Sequence, residues 1–109
     1  MELRKVTADI RIGALDSVES HLHSLGVRGL TVTWVKGCVE RSNFLRRDPK
    51  VSNVRPEAAS EARRAEVIAG FIIEAANTGA CGDGLVAILP VDKVWRIRSR
   101  CEATEEEFA

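Results

Sequence analysis

From Lys5 to Ile12 the chain alternates, with Val6, Ala8, Ile10 and Ile12 on one side and Lys5, Thr7, Asp9 and Arg11 on the other. A period of two belongs to a strand with one buried face, so the first element is expected to be a half-buried strand. From Ala14 the period changes. Leu15, Val18, Leu22 and Leu25 are spaced three, four and three, and Gly26 follows, as in an amphipathic helix with a glycine just beyond its C-terminus. Leu30 to Val35, rich in Val, Thr and Trp, reads as a second strand closing at Lys36-Gly37. Cys38 to Lys50 is charged and without periodicity, which reads as a polar loop. Val51 to Pro56 reads as a short strand, with Pro56 suited only to a strand end or an edge. Ser60-Glu61-Ala62-Arg63 opens a second helix, whose stripe of Ala65, Ile68, Ile72, Ala75 and Ala76 runs to Asn77-Thr78-Gly79. Gly82-Asp83-Gly84 is a turn, and Leu85 to Leu89 is a continuous apolar run expected of a central strand that Pro90 breaks. Val94 to Arg98 reads as a last short strand, with Arg96 and Arg98 on one side, and the acidic tail from Glu102 to Glu107 is expected to fray.

The order βαββαβ is that of the ferredoxin-like split βαβ arrangement, an α+β fold with both helices on one face of an antiparallel sheet. The helix-free face would carry Lys5, Thr7, Asp9 and Arg11, too polar to bury unless it meets water or the polar groups of another subunit. At 109 residues the chain fits one domain and one core, and burial at a subunit interface is a natural further source of stability.

Sixteen basic and sixteen acidic residues cancel, which argues against the broad positive field that nucleic-acid binding needs. No apolar run approaches about 18 residues, and Met1 to Lys5 lacks the apolar core of a secretory signal, so a cytoplasmic protein without membrane insertion is expected. Three cysteines without CxxC spacing make neither a disulfide framework nor a zinc site. His21 and His23, two apart, fall on different faces of a helix and form no metal pair. Cys38 and Cys81 are expected to be small buried hydrophobes, and Trp34 and Trp95 to pack on the sheet.

Chemistry concentrates in Thr78-Gly79-Ala80-Cys81-Gly82-Asp83-Gly84 and in Arg96-Ile97-Arg98. Three glycines in six residues can bare backbone N–H groups to a phosphate, and two arginines at strand spacing can add guanidinium forks. The same residues also suit a plain helix-to-strand connection with solvated arginines, and residue types alone leave both readings open.

Gly26 to Gly37, Thr78 to Gly84 and Arg96-Ile97-Arg98 resemble the second-strand, phosphate-loop and C-terminal motifs of the PII signal-transduction proteins, and the likeness spans nearly the whole chain except its middle. The resemblance implies one PII-like domain over residues 1–109 that assembles as a homotrimer, with an adenine nucleotide (ATP, ADP or AMP) in clefts between subunits. Thr31 and the backbone around Gly37 and Cys38 would line the adenine side, Gly82, Asp83 and Gly84 would wrap the phosphates, and Arg96 and Arg98 would bind phosphate oxygens. No metal or cofactor is required and no catalytic residue is implied. The protein would be a regulator rather than an enzyme, with residues 38–50 as the loop that docks on a transporter or metabolic enzyme and residues 102–109 as a flexible tail.

The departures from the family pattern sharpen this reading. The family's phosphate loop continues Gly-Asp-Gly-Lys, whereas Leu85 stands in place of the lysine, which implies weaker ATP binding or a preference for ADP or AMP. Cys38-Val39-Glu40-Arg41 replace the glycine, arginine and glutamine that accompany metal and 2-oxoglutarate binding. The regulatory loop is shorter by about seven to ten residues, and the absence of tyrosine excludes uridylylation on that residue. The alternative function is a nucleotide-weak regulator of inorganic-carbon uptake or metabolism that responds to a small anion such as bicarbonate.

Overall fold

The computed structural model describes residues 2–36 and 52–104. Strand β1 (Leu3–Arg11) leads through a turn of 3₁₀ helix at Ile12–Ala14 into α1 (Leu15–Ser24), which returns to β2 (Thr31–Lys36). Then follow β3 (Ser52–Glu61), α2 (Ala62–Ala76) and β4 (Gly84–Val91), and the chain ends in a small hairpin of β5 (Trp95–Arg96) and β6 (Cys101–Glu102). The four long strands form one antiparallel sheet in the order β2-β3-β1-β4, the ferredoxin-like arrangement that the sequence implied.

The two periodicities of the sequence meet in the core. Val6, Ala8 and Ile10 from β1 are buried together with Val18 and Leu22 from α1, Ala65, Ile68, Ala69, Ile72 and Ala76 from α2, and Val54 from β3. α1 ends where its pattern ends: Gly26, at φ 85°, takes the left-handed conformation, the Gly26 N–H reaches the His23 carbonyl at 3.0 Å and the Val27 N–H reaches the Leu22 carbonyl at 3.0 Å. That pair of bonds is a Schellman cap, which satisfies two carbonyls the helix leaves open.

The strands and the tail depart from expectation in four places. The third strand runs on from Pro56 to Glu61, and it lies inside the sheet, paired with both β1 and β2. Pro56 is tolerated there because the ladder to β1 lapses opposite Ala8 and Asp9, where a donor would be needed, while Val32 pairs with Pro56 on the other side. Leu85 to Leu89 belongs to an edge strand rather than a central one, and Pro90 continues it, paired with Arg4, because an edge strand needs N–H groups on one side only. The strand expected over residues 94–98 stops at Arg96; Ile97 to Arg100 is the turn of the hairpin, so Arg98 does not share a strand with Arg96. The tail does not fray at Glu102. That residue pairs with Trp95, and the Ala103 N–H, on a buried residue, donates to the Val94 carbonyl at 2.8 Å.

Trp34 and Trp95, 66% and 58% exposed, do not pack into the core of their own chain: Trp34 sits on the outermost strand β2, and Trp95 on the hairpin that stands apart from the sheet, under the Lys93 ammonium at 5.6 Å. Cys81 is exposed in its loop, not a buried packing residue, and Cys101 is exposed as well.

Candidate functional site: the loop from α2 to β4

α2 closes with the Asn77 N–H on the Ile73 carbonyl at 2.9 Å, and residues 77–83 return the chain to the sheet. Asp83 organises this return. Its Oδ2 accepts the backbone N–H groups of Thr78 at 2.8 Å and Gly79 at 2.9 Å, and its Oδ1 accepts the Thr78 hydroxyl. The Asn77 Oδ1 accepts the Gly79 N–H at 2.8 Å, and the Thr78 Oγ1 accepts the Ala80 N–H at 3.3 Å. The Thr78 hydroxyl above all, then the Thr78 and Gly79 amides and the Arg11 charge, hold the Asp83 carboxyl below its usual range.

A lowered carboxyl pKa stabilises the folded loop above the ordinary carboxylate range, and that contribution is lost as pH falls below this range through the lowered value. The loop is therefore expected to keep its amide protection unchanged from neutral pH down to about pH 4 and to lose it below that. Asp83→Asn is expected to expose the Thr78 and Gly79 amides to hydrogen exchange at neutral pH while leaving the α2 amides protected. Equal exchange in wild type and variant would show that the carboxylate is not the clasp.

Gly82 and Gly84 answer to close approaches. Gly79, Gly82 and Gly84 have φ of 79°, 92° and 103°, values that side chains disfavour. A Cβ on Gly84 would stand 1.7 Å from the Asp9 carbonyl oxygen of β1. A Cβ on Gly82 would stand 2.8 Å from the Arg11 guanidinium, which lies over the loop from the end of β1. Arg11 Nη2 donates to the Cys81 carbonyl, and its Nε is 3.7 Å from Asp83 Oδ1. Neither Arg11 nor the inward use of Asp83 was singled out from the sequence. The signal for Arg11 was its place on the polar side of β1, in step with Lys5, Thr7 and Asp9.

That polar side pairs across strands. Lys5 Nζ meets Glu57 at 2.6 Å, Arg55 Nε meets Asp9 at 2.7 Å, and the Thr7 hydroxyl donates to Glu57 at 3.4 Å. The two ion pairs are partly open to solvent, which screens them. On the same face the edge strand β4 sets Leu85 opposite Asp9 and Leu89 opposite Lys5, both leucines largely exposed.

Of the residues singled out by sequence, Gly82, Asp83 and Gly84 lie together in this loop. Thr31 lies on β2, at the far edge of the sheet, opposite Glu57 of β3. Three strand spacings, roughly 14 Å, separate the β2 and β4 edges. Arg96 and Arg98 are exposed on the terminal hairpin, while Gly37 and Cys38 lie outside the described residues. One chain thus does not bring Thr31 to the loop.

The profile of the family described as Nitrogen regulatory protein P-II matches residues 3–101. The chain belongs to the P-II family. It is 34% identical over 104 residues to the Nitrogen regulatory protein P-II of Azospirillum brasilense, covering 89% of this chain and 93% of that protein. It is 34% identical over 103 residues to the P-II homolog of Arabidopsis thaliana, covering 87% of this chain. The chain spans 53% of the Arabidopsis relative and 50% of the one from rice, about half the length of each. Among solved structures it is similar to Arabidopsis thaliana PII bound to citrate, with a TM-score of 0.77 and 32% identity, over 94% of this chain and 89% of that one. The chain thus belongs to a family whose members are described as nitrogen regulatory proteins. Among the described residues no helix is long and apolar enough to cross a membrane.

Proposed function

We propose that this P-II protein senses an adenine nucleotide in clefts between the subunits of a homotrimer and passes the state on through residues 38–50, which dock on a transporter or metabolic enzyme. The observation that carries the reading is the division of the candidate site between two sheet edges. The Gly82-Asp83-Gly84 loop stands at the β4 edge and Thr31 at the β2 edge, so one ligand meets both only where two copies meet. Leu85 and Leu89, exposed on the edge strand beside the polar pairs, give that neighbour an apolar stripe to cover. Arg96 and Arg98 would bind phosphate oxygens from the hairpin. The protein is read as non-enzymatic.

Calorimetric titration with ATP, ADP and AMP tests this reading: saturable binding of at least one, at one nucleotide per chain, is expected, and no heat with any of the three sinks it. Leu85 leaves the loop without the lysine of the family pattern, so ADP or AMP is expected to bind at least as tightly as ATP. Leu85→Lys is expected to tighten ATP about tenfold, the worth of one charge-assisted contact. An unchanged ATP affinity would place residue 85 away from the phosphates.

The same missing cation favours a second reading, a nucleotide-weak regulator that responds to a small anion such as bicarbonate. Heat from bicarbonate together with none from nucleotides would establish it in place of the first.

A further inference from the structure

We infer that Arg11 is a ligand-binding residue: its guanidinium supplies positive charge to the phosphates held at the 77–84 loop, releasing the Cys81 carbonyl when they arrive. The inference rests on the nucleotide reading above and assigns within that site a residue the sequence motifs did not include.

The need for such a residue follows from charge. The segment from Asn77 to Leu85 contains one acidic residue, Asp83, and no basic one, so it has backbone amides but no cation of its own to offer a phosphate. Its first amides are also committed, since those of Thr78 and Gly79 already serve Asp83. A cation must come from outside the segment, and β1 delivers one. Arg11 ends β1 on the same face as Asp9, which stands opposite Leu85, so the guanidinium approaches the loop beside the place where the family pattern has lysine.

Three features suit Arg11 to this work. It is exposed, so a ligand reaches it without opening the fold. It is poised over Gly82, where any side chain would displace it. It also has donors to spare: a guanidinium carries five N–H donors, the Cys81 carbonyl takes one from Nη2, and the Asp83 carboxylate, 3.7 Å from Nε, is an ion-pair partner beyond hydrogen-bond distance. A carbonyl is a weaker acceptor than an anionic phosphate oxygen, so an arriving phosphate outcompetes Cys81 for the fork.

The test is calorimetry of the full chain with AMP, ADP and ATP, comparing wild type, Arg11→Gln, Arg11→Lys and the double variant Arg11→Gln/Leu85→Lys. A cation's pull grows with the charge of its ligand. Arg11→Gln is therefore expected to weaken ATP and ADP about tenfold or more and AMP less. Arg11→Lys keeps the charge without the fork that reaches Cys81 and is expected to retain most of the affinity. The double variant is expected to recover the loss through the new cation at position 85. Equal losses for all three nucleotides, or no loss, or a lysine variant as weak as the glutamine one, would reduce Arg11 to a clasp of the loop and overturn the inference, leaving nucleotide binding intact. Absence of binding in the wild type would overturn both.

Discussion

Gly84→Ala is expected to cost about 3 kcal/mol or more, among the largest losses a single methyl group can cause. The added carbon would stand 1.7 Å from the Asp9 carbonyl oxygen, inside any van der Waals distance, and φ at this position is 103°. Neither strain has an outlet. Asp9 belongs to β1, which is fixed between β3 and β4, and its carboxylate is held by Arg55 at 2.7 Å. Relief requires β4 to peel from β1 at Ile10 and Gly84, where the 77–84 loop enters the sheet. Denaturant unfolding monitored by circular dichroism should show a midpoint far below that of wild type, with the 77–84 loop the first region to lose amide protection. A loss under about 1 kcal/mol would mean that β4 does not cross β1 as closely as described.

Ile68→Ala is expected to cost about 2–5 kcal/mol, by loss of apolar burial and by the cavity left behind. Ile68 is 1% exposed on α2, within the cluster shared by β1 and both helices, and so close-packed a site collapses little. The control lies on the same helix. Ile73, 54% exposed, carries the same side chain, and Ile73→Ala is expected to stay within about 0.5 kcal/mol if no second copy covers it. Chemical denaturation of the two variants side by side separates burial from helix propensity, which they share. Equal losses would contradict the helix orientation.

The contrast between Ile68 and Ile73 was legible in the sequence, because the α2 stripe repeats with the helical period and its members fill the core. The alternation of β1 and the glycine after α1 were legible for the same reason: period and cap are local chemistry. What escaped depended on neighbours. Pro56 argued for an edge because the lapse opposite Ala8 and Asp9 belongs to β1, not to the proline's own segment. The apolar run of β4 argued for a central strand, yet its outer side has no partner strand among the described residues. Trp34 and Trp95 have the composition of packed strand residues and stand on peripheral strands.

The candidate site divides in the same way. Gly82-Asp83-Gly84 is visible as a motif, but Asp83 turning back on Thr78 and Gly79, and Arg11 crossing from β1 to Cys81, are contacts made by folding. The sheet places Glu57 on the same face as Thr31 and beside Lys5.

In the proposed trimer a single ligand is shared by two sheet edges from two copies of the chain. A crystal structure grown at saturating ADP tests it most directly. The expected result is a trimer with ADP between Thr31 of one subunit and the Gly82-Asp83-Gly84 loop of the next; ADP held within one chain, or subunits that keep β2 away from that loop, would contradict it.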